Sequence, residues 1–183
     1  TTAMRTLPVG TPKVMVSTLA SGDTSPYVGT KDITMVYSVV DIAGINSISR
    51  QILTNAANAI AGMTTKEQQL TNKGDKPLIA ATMFGVTTPC VTKARETLEK
   101  NGYEVLVFHA TGTGGRAMED LIRSGFIAGV LDATTTELAD ELVGGILSAG
   151  PHRLEAAGEV GIPQVIAPGA LDLSLIHISE PTR

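Results

Sequence analysis

The second half of the chain alternates short apolar runs with longer segments whose apolar residues recur at helical spacing. The β-branched runs predict strands at residues 78–84, 104–109, 127–132 and 164–167. The segments between and around them predict helices at residues 89–100, 115–123, 135–147 and 151–160. Near-continuous apolar strands separated by helices indicate a parallel sheet covered on both faces, and right-handed crossovers make it doubly wound.

The first part of the chain carries fewer elements of the same kind. Apolar runs predict strands at residues 13–18 and 33–40, helical spacing predicts a helix at 48–63, and residues 1–7 resemble the end of a helix stopped by Pro8. Two strands alone are marginally stable. We therefore expect residues 1–63 to be the C-terminal part of a first Rossmann-like subdomain that is incomplete in this chain.

The remaining boundaries follow from composition. The polar segment 64–76 is predicted to be a linker, and residues 77–173 form a second Rossmann-like subdomain that we expect to be incomplete at its end. The last ten residues, SLIHISEPTR at 174–183, resemble the translated read-through of a sequencing adapter and are expected to be a non-native tail. The fold class is α/β with parallel sheets.

Composition narrows the classes of function. The chain of 183 residues is 43% hydrophobic, with a net charge of −4, 3% aromatic residues and one cysteine. It lacks the basic stripe and the aromatic platform of a nucleic-acid binder, and no apolar run approaches a membrane span. We expect a cytoplasmic protein without direct nucleic-acid or membrane partners.

The most informative motif is HATGTGGRA at residues 109–117, where a predicted strand passes into a predicted helix. Glycines allow close backbone approach to a ligand, and the unpaired amides at a helix start attract an anion. The motif lacks the Gly-Lys-Ser/Thr ending of a P-loop. Candidate phosphate contacts are Thr111, Gly112, Thr113, Gly114, Gly115 and Arg116.

The same letters permit a second interpretation. Gly112, Gly114 and Ala117 match G-x-G-x-x-A, and Asp132 follows at about the distance of a ribose-binding acid, which would indicate a dinucleotide. Against it, a complete strand and helix precede the motif. The alternative without a ligand is a Gly-rich turn selected for geometry alone.

Two further segments carry polar or reactive groups. The turn after the preceding strand supplies Thr87 and Thr88 at a second helix start. Cys90 there and His109 are candidates for a nucleophile and base, although a lone cysteine in such a helix is more often a small buried residue. The end of the predicted strand at 13–18 and the loop after it supply Ser17, Ser21, Gly22 and Asp23, which suit sugar hydroxyls, phosphate or hydrated Mg²⁺, or only stabilise a turn.

Two features are assigned to ordinary structural roles. The segment Thr134 to Glu137 is a capping-box pattern at a helix start, and His152 is expected on the surface. No histidine, cysteine and carboxylate combination has metal-ligand spacing, so no metal site is predicted.

Four segments together resemble the ATP-binding domain family of the tomato mosaic virus resistance protein, whose members are mostly uncharacterised bacterial proteins. They are KVMVSTLASGDTSPYVGTKDITMVYSVVDIAGIN, ATMFGVTTPCV, VFHATGTGGRAMEDL and LDATTTELADELVGG. The resemblance implies two Rossmann-like subdomains, ATP as ligand with or without Mg²⁺, and a homodimer. It assigns the nucleotide site to Ser17, Asp23, Thr87, Thr88, Gly112, Gly114 and Gly115.

Three hypotheses on function remain open at this point. The leading one is an ATP-binding module of unknown physiological role. The others are an enzyme acting on a phosphorylated or carboxylated metabolite through Cys90 or His109, and an NAD-dependent oxidoreductase.

Overall fold

A computed structural model describes residues 1–65 and 76–173. The chain forms two compact units, Thr1–Lys73 and Gly74–Arg183. Part of the predicted linker and the whole expected tail lie outside the described residues. Within the described ranges, no helix combines the length and apolarity that a membrane crossing needs.

The first unit is built on two parallel strands. Strands β1 (Val14–Ser17) and β2 (Thr34–Tyr37) pair in parallel, with the short helix α1 (Ser25–Val28) between them. Helix α2 (Ser47–Met63) follows and is capped by Asn46, whose side chain accepts hydrogen bonds from two backbone amides of the first turn. The predicted strands and long helix are confirmed. Residues near the start form only a 3₁₀ turn, Ala3–Thr6.

The second unit contains four parallel strands in the order β4-β3-β5-β6. The strands are β3 (Leu78–Met83), β4 (Glu104–His109), β5 (Gly129–Asp132) and β6 (Gln164–Ile166). The helices are α3 (Thr88–Lys100), α4 (Thr113–Arg123), α5 (Thr136–Val143) and α6 (Ala156–Val160). The α/β class with parallel sheets is therefore confirmed.

Two helices are shorter than their patterns predict. Helix α5 ends at Val143 rather than at residue 147, because Gly144 adopts a left-handed conformation with φ of 73°. Helix α6 begins at Ala156 rather than near residue 151. The segment before it is a turn in which Leu154 has a positive φ of 82°.

Apolar residues from both faces of this sheet build its core. Ala80 and Val130 pack with Met118 and Ile122 of α4, while Ala81 packs with Val91 of α3 on the opposite face. Strands β3 and β5 are neighbours, and α3 packs on one face of the sheet while α4 and α6 pack on the other. In such sheets ligands bind at the carboxyl ends of the strands, next to the position where the strand order reverses, which here lies between β3 and β5.

Candidate functional site

The Gly-rich turn between β4 and α4 has a shape that only glycine permits. Gly112 precedes the helix with φ of 82°. A side chain on Gly114 would overlap the backbone carbonyl of His109, and one on Gly112 would meet the carbonyl of Ser148. The glycines therefore allow the helix start to pack directly against neighbouring backbone.

A carboxylate of the protein already occupies part of this helix start. Oε1 of Glu137 accepts a hydrogen bond from the Gly112 amide at 2.6 Å and from the Gly115 amide at 3.1 Å. Glu137 is fully buried. The capping-box prediction was wrong: α5 has no side-chain cap, and its second residue, Glu137, reaches across to cap α4 instead.

Glu137 belongs to a buried ionic cluster around Arg153. Nε of Arg153 donates to Oε2 of Glu137 at 2.7 Å, and its two terminal nitrogens donate to the two oxygens of Asp132, each at 2.6 Å. All three side chains are fully buried. Burial lowers the pKa of Arg153, but the hydrogen bonds and charges of Asp132 and Glu137 outweigh it, and the net shift is upward.

The sequence predicts Asp132 as a ribose contact, and the structure places its carboxylate inside this cluster. Oδ1 of Asp132 also accepts a hydrogen bond from the hydroxyl of Thr82 at 2.7 Å. The side chain is fully buried and bound on both oxygens. In this conformation Asp132 holds Arg153 and does not face an open surface.

A third acid connects the cluster to the start of α6. The carboxylate of Glu119 accepts hydrogen bonds from the amides of Leu154 and Ala156, each at 2.9 Å, and lies 3.4 Å from Arg153. Glu119 therefore ties α4 to the segment that carries Arg153. The sequence analysis missed Glu119, Glu137 and Arg153 as partners, since each lies in an otherwise ordinary helical pattern.

The Gly-rich turn has an inner side, where the amides of Gly112 and Gly115 bond to Glu137, and an outer side that carries the amides of Thr113 and Gly114. Within the described part of the chain, the amides of Thr113 and Gly114 have no hydrogen-bond acceptor. Thr113 and Arg116 are exposed, and Nη1 of Arg116 donates to the Ser148 carbonyl at 3.4 Å. Thr111 is half-buried nearby, with its hydroxyl 3.4 Å from the His109 carbonyl. The outer side therefore carries free donors and a positive charge.

In the second predicted turn, which follows β3, the hydroxyl of Thr87 is already bonded within the protein. The hydroxyl of Thr87 bonds to the backbone of Phe84 and lies 2.6 Å from the hydroxyl of Thr134. Thr88 is the first residue of α3 and is half-buried. The contact between Thr87 and Thr134 therefore joins the turn after β3 to the loop after β5 at the carboxyl edge of the sheet.

The two candidate reactive residues do not form a pair. Cys90 is exposed on α3. His109 packs edge-on against the ring of Phe84, with the ring centroids 5.6 Å apart. Among the described residues, no hydrogen bond joins Cys90 to His109, and His152 is exposed beside Glu155. The surface prediction for His152 is confirmed.

The polar side chains of the loop after β1 form hydrogen bonds within the loop itself. The Ser17 hydroxyl accepts from the Leu19 amide at 3.1 Å, and the Ser21 hydroxyl donates to the Thr18 carbonyl at 3.1 Å. The Asp23 carboxylate accepts from the hydroxyl and amide of Ser25, which lowers its pKa. Ser21, Gly22 and Asp23 remain exposed to solvent.

Two family models match this chain. The C-terminal domain of the uncharacterised protein family UPF0261 matches residues 76–180, and the N-terminal domain of the same family matches residues 1–69.

Several relatives are similar along most of this chain. A UPF0261 protein of Clostridium tetani is 73% identical over 172 residues, which are 93% of this chain and 42% of the relative. The ToMV resistance protein Tm-1(GCR237) of Solanum lycopersicum is 55% identical over 177 residues, 93% of this chain and 23% of that protein. A UPF0261 protein of Mesorhizobium japonicum is 54% identical over 173 residues, 94% of this chain and 43% of the relative. The chain thus spans less than half the length of these relatives.

Proposed function

This chain belongs to the uncharacterised protein family UPF0261, and we propose that it is a nucleotide-binding module that takes ATP at the start of α4. The observation that carries the proposal is that the amides of Thr113 and Gly114 have no acceptor among residues 1–65 and 76–173 and lie beside the exposed side chain of Arg116. Backbone amides at a helix start and the positive end of the helix dipole are together sufficient to bind a phosphate group. The sequence resemblance to an ATP-binding family supports the choice of nucleotide.

The arrangement of donors fits a terminal phosphate better than a buried ligand. Thr113 and Arg116 are exposed and lie on the first turn of α4, one helical turn apart. A guanidinium binds two phosphate oxygens in a fork, and the hydroxyls of Thr111 and Thr113 add further donors. The phosphates are held at this edge, with or without Mg²⁺, and binding requires no turnover.

Asp132 has no part in this proposal, because its carboxylate is buried against Arg153. The Rossmann-type dinucleotide interpretation depends on that acid reaching a ribose. The geometry therefore favours a mononucleotide held through its phosphates over NAD. The loop that contains Ser17, Ser21, Gly22 and Asp23 belongs to the first unit and has no part in this proposal.

Isothermal titration of ATP tests the proposal, with Arg116→Ala as the variant. Losing a charge-assisted hydrogen bond of about 1.5–3 kcal/mol should weaken binding by roughly ten- to a hundredfold. The matched control is Arg95→Ala, which removes an exposed arginine of α3 and should bind ATP like the parent chain. Circular dichroism checks that each variant is folded.

Two results would count against the proposal. If the parent chain releases no heat with ATP, with or without Mg²⁺, nucleotide binding is refuted. If Arg116→Ala binds as tightly as Arg95→Ala, the phosphates lie elsewhere.

A further inference from the structure

We infer that Glu137 is a built-in anion of the α4 turn, a positioning residue that permanently fills the inner anion position of this helix start. Its carboxylate does there what a phosphate oxygen does at other helix starts. The inner half of the turn is thus closed to ligands, and only the outer amides face outward. This last consequence rests on the proposed function, whereas the role of Glu137 in the turn does not.

The contacts of Glu137 are those of an anion in a site built for it. One oxygen accepts two backbone amides, from Gly112 and Gly115, and the other accepts Nε of Arg153 at 2.7 Å. A side chain on Gly115 would overlap this carboxylate. Glycine at position 115 is therefore required so that the carboxylate can lie directly on the helix start.

Three features make this anion a fixed part of the turn rather than a movable gate. Glu137 is fully buried, so leaving its place would require it to carry a charge through packed protein. Its departure would remove one partner of Arg153 and leave the amides of Gly112 and Gly115, both buried residues, without an acceptor. Arg153 itself is anchored by both oxygens of Asp132. A ligand phosphate at the outer amides cannot compensate for those losses.

The proposal predicts that removing the Glu137 side chain increases the affinity of the protein for small anions. Removing the Glu137 side chain should uncover a site with two amides and a guanidinium, which attract a small carboxylate or phosphate. The variant Glu137→Ala should therefore bind formate and inorganic phosphate at least about tenfold more tightly than the parent chain. A side chain that merely filled space would not create such a site.

Thermal unfolding of the full chain in increasing sodium formate measures this, with sodium chloride at equal ionic strength as reference. Glu137→Ala should unfold at a lower temperature than the parent, and formate should raise its Tm in a saturable way. The matched control is Asp140→Ala, which removes another buried acid of α5 that accepts one amide, from Leu147, and contacts no arginine among the described residues. Formate should raise the Tm of Asp140→Ala and the Tm of the parent chain much less than it raises the Tm of Glu137→Ala.

Hydrogen exchange of the parent chain, followed by NMR, keeps the inference testable if Glu137→Ala does not fold. The amides of Gly112 and Gly115 should exchange much more slowly than those of Thr113 and Gly114 in the same turn. Equal exchange rates would overturn the inference. So would a formate response in Glu137→Ala that is no larger than in Asp140→Ala.

These experiments use no nucleotide, so their failure is distinguishable from failure of the ATP proposal. A chain that binds no ATP but shows formate rescue retains the built-in anion and loses only the nucleotide. If instead ATP binds, changes the NMR signals of Gly112 and Gly115 and displaces Glu137, the ATP proposal stands and the built-in anion is refuted.

Discussion

Replacing Arg153 with methionine should destabilise the second unit far more than replacing any exposed arginine. Arg153 is fully buried and holds the carboxylates of Asp132 and Glu137 at 2.6–2.7 Å, with Glu119 at 3.4 Å. Methionine keeps a long unbranched side chain but removes the charge and all the donors. The carboxylates then remain buried without their cation, which is the costly way to break an ion pair.

The magnitude follows from that arrangement. Removing one partner of a buried ion pair costs about 3–5 kcal/mol, a large share of the roughly 5–15 kcal/mol that stabilises a typical domain. The comparison is Arg95, whose side chain is 53% exposed and contacts Glu99 at 2.8 Å one turn along α3. Arg95→Met should cost about 0.5 kcal/mol or less.

Urea unfolding at neutral pH, followed by circular dichroism, measures both losses. With a urea dependence of about 1–3 kcal/mol per molar, the Arg153→Met midpoint should fall by more than about 1 M. The Arg95→Met midpoint should stay close to that of the parent chain. If the two variants lie within about 1 kcal/mol of each other, the ionic cluster does not stabilise the fold in the way described.

Three further predictions concern single positions. Gly114→Ala should lower the Tm sharply because its methyl group would overlap the His109 carbonyl, whereas Gly158→Ala, which has open space around it, should leave the Tm unchanged or raise it. Thr82→Val should cost about 1–3 kcal/mol in urea unfolding, because the buried hydroxyl donates to Asp132 and accepts the Thr134 amide. Burial of Asp32 raises its pKa, but hydrogen bonds from Lys13 and Gly10 outweigh this, so the folded pKa lies below the unfolded one. The stability that Asp32 provides is therefore present above the unfolded pKa, near 3.8, and lost as pH falls through the folded pKa; in Asp32→Asn, NMR signals of β1 should show less acid sensitivity.

Much of the fold could be predicted from local pattern. Strand β4 begins and ends where its apolar run predicts, and helix α3 starts within one residue of the prediction. Strands buried on both faces are almost continuously apolar, so their signal is strong in the sequence. The ends of α5 and α6 were less predictable, because Gly144 and Leu154 adopt positive φ values that a hydrophobic pattern does not encode.

The candidate site was predictable only in part. The Gly-rich turn does begin a helix, and two of its amides have no acceptor among the described residues, whereas its role as a phosphate site stays a prediction. The partners that satisfy the inner amides were not foreseen. Glu137 lies 25 residues from Gly112, and Arg153 lies 21 residues from Asp132. No local rule connects residues at such separations.

The sequence alone determined the strands, the helices and the place where glycine opens a helix start, because these depend on side-chain periodicity and on backbone freedom over a few residues. Only the tertiary structure decided which charges meet. The sheet order brings the ends of β4 and β5 and the segment before α6 to one edge, where Glu137 and Arg153 enter from different elements. A buried charge must find a partner wherever the chain provides one, and that choice is made in space rather than along the chain.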